Sequence, residues 1–237
     1  MREIVGNDKN GGLGMDKGAI TFLDVLGWKG VWQRKRDPSK TLKDIINETE
    51  QLLDKTLKLE TIKGYENIFK GLSAEVISIS DTIALVTYGE SDITLQFHAS
   101  LSHTIICRSI TEGLPVRGAI SYGDYTFEDN IMVGAAVDEV ASWYETVDWI
   151  GVIYTPSALY CTNINNYLSD NVVEKYPVKI KGYGYFETYC VKWPYTWNKK
   201  NNRDDLLKIF TDMKPITPDI GFKLSNTMLF YDKITKA

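Results

Sequence analysis

Two β-branched runs separated by one residue constrain this chain most. AEVISIS (residues 74–80) and TIALVTYG (residues 82–89) flank Asp81, and alternating apolar runs around so short a break read as a β-hairpin with the acid at its tip. Helical spacing lies on both sides. Upstream, Leu42, Ile45, Ile46, Leu52, Leu53 and Leu57 recur at the period of a long amphipathic helix; downstream, Ile93, Phe97, Leu101 and Ile105 step by four through a second. Before the first helix, residues 18–26 (GAITFLDVL) read as a buried strand with an acid, Asp24, near its far end, and Gly27 turns the chain. Beyond Pro115, VRGAISYG alternates again.

The resulting order is β, α, β, β, α, β, the split βαβ arrangement of ferredoxin-like folds, and it predicts an α+β domain with helices packed on a sheet. Further elements follow it. YTFEDNIMVG is a second alternating run, and Gly134 opens a short helix, AAVDEVASWYE. IGVIYTP reads as a strand, residues 157–168 as a helix, and PVKIKG with YGYFETYCV as a final β pair. From Trp193 the chain reads as a loop followed by one or two helices. The expected organisation is an N-terminal arm over 1–17, one domain over 18–192, and a C-terminal piece over 193–237 packed on that domain.

Composition narrows the function. A formal charge of −4 supplies no general basic field for a nucleic-acid backbone, so any phosphate site is local. Three widely spaced cysteines without a C-x-x-C pair suggest neither a disulfide framework nor a zinc knuckle, and a reducing cytosol is expected. The first residues lack the apolar stretch of a signal peptide, and no run of about 18 apolar residues predicts a membrane span. His98 and His103, five apart on the second helix, fall on different faces rather than in the i, i+4 metal geometry.

Asp24 and Asp81 are the anomaly. A carboxylate in an apolar strand is costly unless a partner or a metal compensates it. In a split βαβ fold the first strand and the hairpin are neighbours, so two acids 57 residues apart can converge on hard-cation chemistry suited to Mg²⁺ or Mn²⁺. The residues alone leave the alternative open that Asp81 is a turn acid and Asp24 a helix N-cap.

Five ordered segments carry a resemblance. FLDVLGWKG resembles the first metal motif of class III nucleotidyl cyclases, and ISISDTIALV their hairpin-borne second. VRGAISYG is similar to the strand after their dimerisation arm, VGAAVDEVASWYE to their catalytic helix, and VKIKGYGYFETY to their closing lysine motif. With its short catalytic domain and Lys192-Trp193-Pro194 tail, the chain looks most like the bacterial pyrimidine cyclases of anti-phage signalling, the Pycsar type.

The resemblance implies that Asp24, Asp81 and the carbonyl of Val25 hold two Mg²⁺ or Mn²⁺ ions. It implies that Leu26, Gly27 and Trp28 start a helix whose N–H groups cradle a triphosphate, a role suited to helix N-termini. Lys29 is a further candidate, and Arg117 and Lys181 match the phosphate-binding Arg and Lys. Where relatives place a transition-state Asn and Arg, this chain has Asp138 and Ser142, so another cation such as Arg108, Arg117 or Lys29 stabilises the developing charge, or the chain is slow or inactive. The purine-reading positions carry Ile77 and Ile131, neither of which offers a hydrogen bond to a base edge. The expected activity is cyclisation of a pyrimidine ribonucleoside triphosphate, UTP ahead of CTP, to a 3′,5′-cyclic nucleotide and pyrophosphate. A cytoplasmic homodimer with sites at its interface would do this, its product acting on a downstream effector. The alternative on the same fold is a non-catalytic nucleotide-binding sensory module.

Overall fold

The computed structural model describes residues 16–28, 31–62, 64–161, 172–212 and 215–236. Its sheet is built around β1 (Asp16–Val25), which pairs antiparallel with β5 (Thr82–Tyr88) on one side and β6 (Val116–Glu128) on the other. β4 (Ala74–Ile79) pairs antiparallel with β5, completing the order β4-β5-β1-β6. With α2 (Pro38–Lys58) between β1 and β4, and α3 (Ser91–Thr111) between β5 and β6, this is the split βαβ core that the element order predicted.

The sheet extends beyond β6 through β8 (Gly151–Tyr154), parallel to it, and then β10 (Gly184–Val191) and β9 (Val173–Ile180). A two-stranded patch, β2 (Thr61–Ile62) with β3 (Tyr65–Glu66), stands apart. β7 (Ile131–Val133) folds back on the end of β6, where Asp129 and Asn130 both take positive φ, as a tight two-residue hairpin requires. The two alternating runs read around Gly123 are one continuous strand, because glycine does not break a ladder whose flanking residues keep their partners in β1.

Both faces of β1 are covered. Thr21 meets His98 of α3, while the next residue, Phe22, meets Tyr144 just past α4 (Ala135–Trp143), as the two-residue alternation of a strand demands. Asp24 therefore shares the α4 face with Phe22. Gly118 lets β1 and β6 approach: a Cβ there would lie 2.1 Å from the Phe22 carbonyl oxygen.

Two expectations are corrected. Leu26 to Trp28 do not begin a helix; they form a turn with Gly27 at φ 70, and α1 is only Val31–Arg34. Trp193 does not open a loop: α6 (Trp193–Trp197) starts there with Pro194 in its first turn, where a missing N–H does no harm, and both tryptophans are buried. After α5 (Pro156–Cys161), the rest of the helix expected to residue 168 lies outside the described residues. α7 (Arg203–Thr211) and α8 (Pro218–Thr235) complete the chain, and Phe230 of α8 packs 4.5 Å from Trp149 between ring centroids.

Candidate active site

The site begins with strand pairing. Asp24 stands opposite Thr82 on β5 and opposite Arg117 on β6. Asp81 occupies the β4–β5 turn one residue before Thr82, and its carbonyl accepts from the Val25 N–H at 3.3 Å. The split βαβ topology thus brings the two acids to adjacent strand ends. Burial is the largest influence on the Asp24 carboxyl and raises its pKa; Arg117 opposes that shift, and the charges of Asp81 and Glu145 add to it.

Arg117 answers the half-buried carboxylate directly. Its Nε and Nη2 both lie 3.0 Å from Asp24 Oδ2, with only 12% and 13% of the two side chains exposed. Nη1 donates to the carbonyls of Glu145 at 2.6 Å and Val147 at 3.4 Å. The phosphate-binding role expected of Arg117 finds it committed to a protein carboxylate. The stretch it grips also holds the closing hairpin, since the Lys181 N–H donates to Thr146 O at 2.9 Å. The Lys181 ammonium itself lies 3.5 Å from Asp219 with over half of each side chain exposed, a weak pairing it can leave.

The other expected residues are placed as follows. The Leu26 N–H donates to Pro115 O at 2.8 Å and the Trp28 N–H to Val25 O at 3.3 Å, so those two donors are satisfied within the protein. Lys29 lies outside the described residues. Asp138 and Ser142 are exposed on α4, with Ser142 Oγ donating to the Asp138 carbonyl at 2.7 Å. Arg108, the other cation considered, is engaged with Glu48 and Glu112.

The two positions expected to face the base do not share a neighbourhood. Ile77 is half-buried in β4 opposite Ala84. Ile131, 65% exposed, pairs with Glu128 at the far end of β6, roughly 35 Å along that strand from Arg117 at about 3.3 Å per residue. Ile77 and Asp81 do not belong to one run of strand alternation, because β4 ends at Ile79 and Ser80 turns at φ 60.

Two neighbours were not singled out in the sequence. The Tyr144 hydroxyl donates to Glu145 Oε1 at 2.8 Å, and burial first, then that bond, pushes its pKa up to about 12. Glu145 adds a third acid whose charge reaches Asp24. Nothing in local periodicity marks either residue; the linker after α4 places them. A cavity of about 380 Å³ adjoins this linker, lined by Ser142, Trp143, Thr146, Tyr183, Tyr185 and Phe186 among others, and neither Asp24 nor Asp81 lines it.

Asp24, Asp81 and the Val25 carbonyl are hard oxygen donors of the kind Mg²⁺ or Mn²⁺ takes. Among the described residues no group of three or more His, Cys, Asp or Glu side chains forms a metal cluster. Two carboxylates suit Mg²⁺ chemistry, in which water and substrate phosphates complete the shell.

No protein-family model and no curated protein matches the chain. Solved structures similar to it include the catalytic core of a rhodopsin-guanylyl cyclase with converted specificity in complex with ATPαS, at TM-score 0.45 and 16% identity over 75% of this chain and 95% of that one. Adenylate cyclases from Trypanosoma brucei in their monomeric state match at TM-score 0.46 and 14% identity over 75% and 90%. An adenylate/guanylate cyclase/hydrolase from Silicibacter pomeroyi matches at 0.46 and 14% over 75% and 96%. The likeness is distant, and no residue role is transferred from it.

Proposed function

We propose that this chain is a nucleotide cyclase of the class III kind, acting on a pyrimidine ribonucleoside triphosphate with UTP preferred. The observation that carries the reading is the meeting of Asp24 and Asp81 at adjacent strand ends of a split βαβ sheet, with Arg117 opposite. Divalent ions bound by Asp24, Asp81 and the Val25 carbonyl would supply a 3′-hydroxyl of lowered pKa and neutralise triphosphate charge. The residues do the rest by position and charge. Arg117 and Lys181 would turn to the phosphates on leaving Asp24 and Asp219, so that charge developing on the leaving pyrophosphate meets positive groups. No side chain acts as a nucleophile.

Ile77 supplies no hydrogen bond to a purine edge, and because it reads no pyrimidine edge either, the choice of base falls to another group. A donor facing uracil O4 would favour UTP, whereas an acceptor would favour CTP. Ile131 lies too far from Asp24 of its own chain to share its pocket, which supports a homodimer whose partner completes each site and a symmetric pair of sites. Among the described residues no helix is long and apolar enough to cross a membrane; the cytoplasmic setting and the role as an anti-phage messenger synthase are proposed from the sequence resemblance. A second reading, a non-catalytic nucleotide-binding module, is favoured by the exposed face of α4, where Asp138 and Ser142 present no cation.

Incubation of the purified protein with Mn²⁺ and the four ribonucleoside triphosphates at equal concentration, with cyclic products resolved by mass, tests the proposal. Cyclic UMP should dominate. A dominant cyclic CMP signal would overturn only the choice of uracil, cyclic AMP or cyclic GMP the pyrimidine reading, and no cyclic product the enzymatic reading.

A further inference from the structure

We infer that Arg117 is the resident counter-ion of Asp24, and that a divalent cation must displace it, so that the chain competes internally with its own metal. The inference rests on the reading of Asp24 as a metal ligand. Three guanidinium nitrogens are engaged at once: Nε and Nη2 on Asp24 Oδ2 at 3.0 Å, and Nη1 on the Glu145 carbonyl at 2.6 Å. A planar fork held this way is pre-organised, unlike a lysine that swings on a flexible stem. Both side chains are nearly shielded from water, so charges near them are weakly screened. A dication brought to Asp24 therefore meets a fixed positive charge and a carboxylate oxygen already taken.

The clamp also couples the metal site to the far hairpin. The stretch that holds Nη1 is tied to β9, through the Val147–Ile180 bridge, and to Lys181, through its N–H on Thr146 O. A group that draws Lys181 and this linker away loosens Arg117 and uncovers Asp24. A triphosphate is such a group, because it offers both cations a multiply charged acceptor. Nucleotide and metal then bind cooperatively, each lowering what the other must displace.

The experiment reads Mn²⁺ binding to the nucleotide-free protein, by loss of the free-ion electron paramagnetic resonance signal. Wild type, Arg117→Met, Arg117→Lys and the double variants carrying Asp24→Asn are compared, with circular dichroism to verify folding. Arg117→Met should bind Mn²⁺ at least about tenfold more tightly than wild type, because a fixed like charge is gone. Arg117→Lys, which keeps the charge but not the fork, should fall between them, and it carries the test alone if the methionine variant does not fold. In both, Asp24→Asn should cancel the gain. Asp24-dependent affinity that is equal or weaker in the variants overturns the inference alone. Absence of Asp24-dependent binding in every folded variant overturns it together with the metal reading, while cyclic-product formation remains a separate measurement.

Discussion

Replacing Asp24 and replacing Asp81 have different consequences for stability. Two bare carboxylates crowded at strand ends would predict a gain from removing either one. Asp24, however, is paired: Arg117 touches it with two nitrogens at 3.0 Å, with only 13% and 12% of the respective side chains exposed. Removing one partner of a fully buried pair strands the other, at about 3–5 kcal/mol, and this pair is only partly buried. Two effects soften the loss: Arg117 keeps its bond to the Glu145 carbonyl, and the burial that raises the Asp24 pKa already disfavours the charge removed, so roughly 1–2 kcal/mol applies to Asp24→Asn. For a chain of this size that is a fall in Tm of about 2–8 °C, at roughly 2–4 °C per kcal/mol. Asp81 is half-exposed and raises the Asp24 pKa as a like charge, so Asp81→Asn should change stability by no more than about 0.5 kcal/mol, and upward. Urea unfolding of wild type, both single variants, Arg117→Met and the Asp24→Asn/Arg117→Met pair in metal-free buffer measures this. Equal losses for the two acids, or a coupling energy between Asp24 and Arg117 below about 1 kcal/mol, would refute the reasoning.

His98 sets an acid limit: it is fully buried between Thr21 and Thr87, bonded at 2.6 and 2.8 Å, and burial pushes its pKa down to about 3. The stability of keeping it neutral is present above its unfolded pKa of about 6.5 and is lost as pH falls toward 3, about 2 kcal/mol between pH 7 and 5; His98→Gln should flatten that part of the pH dependence in urea titrations, and an unchanged slope would contradict it. Gly118→Ala should destabilise by at least about 2 kcal/mol in the same assay, since the new Cβ would lie 2.1 Å from a backbone oxygen of β1 that cannot yield without moving Asp24. If sites are shared between two chains, mixing an Asp81→Ala chain with one altered along α4 should restore cyclase activity that neither has alone; a fully active monomer would exclude that arrangement.

Local regularities were legible in the sequence because periodicity is a local property. β1, the β4–β5 hairpin with its acid, α2, α3 and α4 all appear where alternation or helical spacing marks them, and the order of these elements already implies that Asp24 and Asp81 are neighbours. What compensates the buried acid was not legible. Its partner is 93 residues away, and only the β1–β6 register sets Arg117 against Asp24 rather than against solvent or phosphate. The turn at Leu26 to Trp28, the remoteness of Ile131 and the burial of Trp193 and Trp197 are decisions of the same kind. Each depends on which hydrogen-bond acceptor, strand end or apolar wall the rest of the chain brings near. The sequence by itself determined the elements of the βαβ core and their two conspicuous acids; the tertiary structure decided which charge faces which, because an ion withdrawn from water must take its partner from whatever the fold places within about 3 Å.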